Sequence, residues 1–146
     1  MYFKYQKYIE ALSVQCPPSD YTPQKRVAFR FIFGDVNHKN YKNNFFPVLR
    51  IKPTRKNGRR FKKDSSKCQG YALSFFDTLE NARNRYAELK KDNPNISEYI
   101  GTHIAKGIIE KEDGVVSKID KKGHFSLHEF EEADLEKKFR VVYSLE

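Results

Sequence analysis

Eight of the fourteen residues of Arg50–Lys63, "RIKPTRKNGRRFKK", are Lys or Arg, and none is acidic. Packed against one another these cations would repel, so the run must face water or a partner. A phosphate backbone is the partner whose chemistry fits best, because each neutralised phosphate releases a condensed counterion. Arg55, Arg59 and Arg60 can fork onto phosphate oxygens. Arg50, Lys52, Lys56, Lys62 and Lys63 add point charges, and Phe61 is placed to stack on a base. The expected partner is RNA or DNA, held by its phosphates rather than by base edges. A solvated loop and a patch for an acidic protein partner are the alternatives for the same run. The rest of the chain sharpens the contrast. Residues 1–72 carry 16 Lys/Arg against 4 Asp/Glu, while 73–146 carry 12 against 15, for a net charge of +9.

Two further groupings suggest chemistry on a phosphate-containing substrate. "HFSL" at His124–Leu127 resembles one copy of the H-x-[ST]-x element of the two-histidine phosphoesterases. There a His and a hydroxyl two residues apart share a strand face, so His124 and Ser126 would donate a proton and hold phosphate. A second copy would have to come from His38 or from "HIAK" at His103, where Ala105 stands at the hydroxyl position. The order Arg30, Ser74, Glu129, Glu131 resembles the Arg, Ser, Glu-x-Glu layout of ADP-ribosyltransferases. That resemblance implies a dinucleotide held by Arg30 and an acceptor activated by Glu131. The bland alternative makes Arg30 a strand surface charge, Ser74 a strand residue, and the two glutamates the start of an acidic turn.

Cys16 and Cys68 are read as reduced thiols of a cytoplasmic protein, with a single disulfide closing a long loop as the alternative. Two cysteines and four scattered histidines show no metal-ligand spacing. No metal and no cofactor are expected, since no Gly-rich phosphate loop exists either. No stretch is apolar enough to span a membrane, and the N-terminus has no signal-peptide core.

The elements that must position these residues follow from periodicity. Tyr2, Tyr5, Ile9 and Leu12 recur as one helical face until Pro17-Pro18 breaks it. Strands are expected at Arg26–Phe33, Phe45–Lys52 and Gly70–Phe76, with Arg30 on the face opposite the phenylalanines of the first. Asp77 and Glu80 suggest a capping box for a helix whose apolar face is Leu79, Ala82, Tyr86 and Leu89. Asp113-Gly114 is the preferred chemistry of a two-residue hairpin turn. It would join a strand from Thr102 to one at Val115, and a turn at Gly123 would lead to a third at His124–Phe130. A short helix near Glu131–Phe139 and a last strand from Arg140 close the chain.

The sum is a single α+β domain over residues 1–146. It has a mostly antiparallel twisted sheet of about six or seven strands and two or three helices, with 53–69 as an exposed basic loop or hairpin. The segments "NNFFPVLRIKP", "YALSFFDTLENA", "GTHIAKGIIEKEDG" and "GHFSLHEF" resemble uncharacterised small bacterial proteins. That implies a free-standing bacterial domain. A nucleic-acid binding protein is the leading expectation. An enzyme on a phosphate-containing substrate and an interaction module of a bacterial toxin or defence system are the alternatives.

Overall fold

A computed structural model describes residues 2–51 and 61–146 of the protein. In chain order the elements are α1 (Gln6–Ile9), β1 (Arg26–Ile32), α2 (Val48–Ile51), α3 (Asp64–Gly70), β2 (Leu73–Phe76) and α4 (Leu79–Asp92). They continue with α5 (Ser97–Ile100), β3 (His103–Ile109), β4 (Gly114–Val116), β5 (His124–Glu129) and β6 (Arg140–Ser144). Among the described residues the strands form one antiparallel sheet in the order β4-β5-β2-β1-β3-β6. The α+β class is therefore as expected.

Alternation along the strands divides the core in two. One face carries Ala28, Ile32, Leu73, Phe75, Ala105, Ile109, Val116, Phe125 and Leu127. Leu135 and Phe139, from the segment before β6, close over it. The other face carries Phe29, Phe76 and Ile104, covered by Ala82 and Leu79 of α4. Phe31 of β1 packs edge-on against Tyr86 of the same helix.

Several local expectations change in the fold. Thr78, not Asp77, caps α4, its hydroxyl accepting from Asn81 N–H at 3.0 Å. Asp77 instead accepts from the Asn81 side chain. Of the strand expected at Phe45–Lys52, residues 45–51 do not join the sheet, and Lys52 lies outside the described residues. Pro47 lacks the N–H a ladder needs, and the chain coils into α2 immediately after it. Residues 64–69 are helical rather than an exposed loop, with Cys68 buried, and the helix takes in Gly70, where a strand was expected to start.

The expected Asp113-Gly114 hairpin is also absent. β3 and β4 lie near opposite edges of the sheet, so the chain crosses over there. Asp113 is committed elsewhere: its carboxylate accepts from Glu110 N–H at 2.7 Å and from Lys138 Nζ at 2.7 Å. Those bonds hold a 3-10 turn in place of a tight reversal.

Candidate functional site

Cys16 and Cys68 are joined in a disulfide, which overturns the reading as reduced thiols. The bridge spans 52 residues of sequence, enough for loop-closure entropy to contribute about 4 kcal/mol. β5 brings a third group to it. His128 is buried, and its Nε2 lies 3.9 Å from Cys16 Sγ and 3.7 Å from Cys68 Sγ. All three donor atoms fall within 4.8 Å of one another. Burial pushes the His128 imidazole down to about 4, so the ring is neutral at pH 7. The rings of Phe3 and Tyr21 flank it, with centroids at 6.5 and 5.8 Å. Two sulfurs and an imidazole are a soft donor set. Spacings of 52 and 60 residues hid this cluster. The only signal in the sequence was two cysteines with a histidine on a strand.

The Arg30, Ser74, Glu129 and Glu131 constellation is split by the sheet. Phe29 pairs with Phe76 across β1 and β2, which sets Arg30 opposite Phe75, so Ser74 and Arg30 project from opposite faces. What Arg30 meets is the Ser74 carbonyl, which accepts from its guanidinium at 2.9 Å, while Nε donates to Asn44 O at 2.8 Å. Arg30 is half-buried rather than a free surface charge. It lies between Phe45 and Phe75, 5.9 and 5.6 Å from their centroids, and burial lowers it to about 10.

Glu129 is buried on the Arg30 face, and Glu131 is exposed beyond the strand. Glu129 Oε2 accepts from Lys4 Nζ at 2.9 Å, and its Oε1 is buried with no hydrogen-bond partner among the described residues. Burial raises the carboxyl above its ordinary range, although Lys4 and Arg30 oppose this. Burial, followed by the Glu129 charge, pushes Tyr5 up to about 12.

The histidines diverge as well. His124, Ser126 and His128 share one face, but α3 and the N-terminal segment cover Ser126 and His128: Ser126 is buried and its hydroxyl donates to Gln69 Oε1, while His124 is half-buried against Phe76. His103 projects from the other face and pairs its Nδ1 with Thr102 Oγ1 at 2.8 Å. The register separates it from His124 by three strands and three residues, about 14 Å across and about 10 Å along. They do not form a two-histidine site.

Of the basic run, Lys52, Arg55, Lys56, Arg59 and Arg60 lie outside the described residues. Arg50, Lys62 and Lys63 are exposed. Arg50 stacks over Tyr8 at 4.4 Å, and Tyr8 stacks in turn on Tyr71 at 5.6 Å. Phe61 is buried, which removes it as a base-stacking side chain. Leu49 and Phe61 both press against Gly70, where an added Cβ would meet both. The two ends of the run are thereby held side by side. Next to α2, a shallow hollow of about 450 Å³ is lined by Lys39, Asn40, Lys42, Asn43, Phe46 and Ile51. Phe46 is the exposed aromatic there, at 45%. Phe46 falls within the strand expected at Phe45–Lys52, and no spacing in the sequence joins it to Lys39 and Lys42.

No protein-family model, curated protein or solved structure matches the chain. No helix among the described residues is long and apolar enough to cross a membrane.

Proposed function

We propose that the protein binds nucleic acid, RNA or DNA, through a basic surface centred on the Arg50–Lys63 run. The observation that carries this is the hollow of Lys39, Lys42 and Phe46 abutting α2, from which the run departs. The run adds eight cations to the same stretch of chain, and Arg50, Lys62 and Lys63 among them are exposed. Dense positive charge supplies salt-dependent affinity for phosphates. Phe46 supplies the aromatic that single-stranded bases stack on, the role Phe61 cannot fill. Arg50 is already ordered by its stack on Tyr8, so less entropy is lost when it meets a phosphate. The surface reads charge and stacking, so sequence preference is weak. A cytoplasmic location belongs to the same proposal. Thiol reductants there keep most cysteine pairs open, so the Cys16–Cys68 bridge weighs against that location, and alkylation in intact cells that finds the pair closed overturns it.

The test is binding of single-stranded and duplex RNA and DNA at two salt concentrations. Affinity is expected to fall steeply with salt. The Arg55/Arg59/Arg60→Ala variant should lower the log–log salt slope by about 3. Phe46→Ala should weaken single strands by about 1–3 kcal/mol and duplexes less. Absence of binding at low salt, or equal binding by the triple variant, overturns the proposal.

A further inference from the structure

We propose that Cys16, Cys68 and His128 form a redox-gated site for a thiophilic divalent cation of the Zn²⁺ type, closed while the disulfide stands and opened by a thiol reductant. The distances are the first reason. In tetrahedral zinc sites Zn–S is about 2.3 Å and Zn–N about 2.0–2.1 Å, which places neighbouring donors about 3.5–3.8 Å apart. His128 Nε2 already stands 3.7 and 3.9 Å from the two sulfurs. Once their bond is broken, only the sulfurs must part, to about 3.8 Å.

The second reason is that the frame around the sulfurs does not depend on their bond. Three separate elements supply the donors: the segment after α1, helix α3 and strand β5. The segment carrying Cys16 is pinned on both sides. Ser13 N–H and Oγ donate to Asp64 of α3 at 2.8 and 2.7 Å. Thr22 and Val116 exchange backbone hydrogen bonds of 3.1 and 2.8 Å. Between them, Gln69 donates to the Tyr21 hydroxyl at 3.0 Å and accepts from Ser126. Reduction therefore leaves both thiols facing the imidazole. Two thiolates and an imidazole select zinc-like ions over Mg²⁺ or Ca²⁺, and three protein donors leave the fourth position to water or another ligand.

The redox step balances with a thiol as reductant. A thiolate attacks Cys16 Sγ, the half-buried sulfur, since Cys68 is 2% exposed. The Sγ–Sγ bond breaks, Cys68 leaves as thiolate, and a mixed disulfide forms on Cys16. A second thiolate attacks the reductant's sulfur in that mixed disulfide and releases Cys16. The protein pair gains two electrons, the reductant becomes its own disulfide, and two protons pass to the protein thiols. The cation displaces those protons when it binds.

The experiment uses the full chain, reduced with a phosphine, freed of reductant without air, and titrated with Zn²⁺ against a chromophoric chelator. Co²⁺ is the spectroscopic probe. The reduced chain should bind one equivalent and the oxidised chain none at that site. Co²⁺ should give the visible bands of tetrahedral coordination with a thiolate-to-metal band in the near ultraviolet. His128→Gln should weaken binding by more than about 100-fold, beyond what loss of an outer-sphere partner costs. Because His128 is buried and its variant can misfold, the contrast between reduced and oxidised wild type is the primary readout. Equal Zn²⁺ affinity in the two redox states, or a Co²⁺ spectrum without the thiolate band, overturns the proposal.

Discussion

Lys4 and Glu129, 125 residues apart in sequence, meet at 2.9 Å across the end of the sheet. The same ammonium donates to Ala133 O at 2.6 Å. One side chain thereby ties the N-terminal segment both to the end of β5 and to the chain that follows it. Glu129 is buried while Lys4 keeps 29% of its side-chain surface, so the carboxylate depends on the pair more than the ammonium does.

Removing the ammonium should therefore hurt more than neutralising the acid. Lys4→Ala strands a buried carboxylate, and the expected loss is about 2–3 kcal/mol, below the full cost of breaking a wholly buried pair. Glu129→Gln keeps the shape and replaces an oxygen that lacks a partner among the described residues, so its cost should stay under about 1 kcal/mol. Urea unfolding of both variants and the double variant measures this. Equal losses, or a Lys4→Ala effect within error of zero, would show that the contact carries no net stability.

Acid should loosen the contact between the N-terminal segment and α3. Asp64 is held below the usual carboxylate range by the Ser13 backbone N–H, then by the Ser13 hydroxyl, with a smaller contribution from Lys67. A depressed folded-state value means that stability is present above the unfolded value, about 3.9. It is lost as pH falls through the lower folded value. Asp64→Asn or Ser13→Ala should flatten the loss of stability below about pH 4 relative to wild type. Identical acid limbs in wild type and both variants would refute the assignment.

Gly101 should tolerate no side chain. Its φ is +140°, and an added Cβ would sit 2.6 Å from Ile32 O and 2.8 Å from Ile32 N. Neither atom can yield easily: Ile32 O accepts from Thr102 N–H at 2.9 Å, and Ile32 lies in the β1–β3 ladder. Gly101→Ala should cost more than about 2 kcal/mol, seen as a lowered Tm. An unchanged Tm would mean that the α5–β3 connection can move away from β1.

The parts of the fold legible in the sequence are those set by neighbours in the chain. Alternation in "RVAFRFIF" marks β1, and the spacing of Ala82 and Tyr86 marks the buried face of α4. Both depend on periods of two and 3.6 residues. Asp113-Gly114 misled because turn chemistry is a local preference, and a carboxylate with two partners outweighs it. Arg30 illustrates the same limit at a candidate site. Its face follows from alternation, but its partial burial depends on Phe45 and Asn44, residues that pack on it from beyond the strand.

By itself the sequence determined the α+β class, most of the strands, the long helix and the concentration of charge in Arg50–Lys63. Each of these is a property of composition or short-range spacing. Only the tertiary structure decided which side chains meet. It put Ser74 and Arg30 on opposite faces, buried Phe61 and left Phe46 exposed, and gathered Cys16, Cys68 and His128 within 4.8 Å. The physical reason is that strand order and helix docking depend on burying the whole apolar surface at once, and contacts 52 to 125 residues apart leave no periodic trace in the chain.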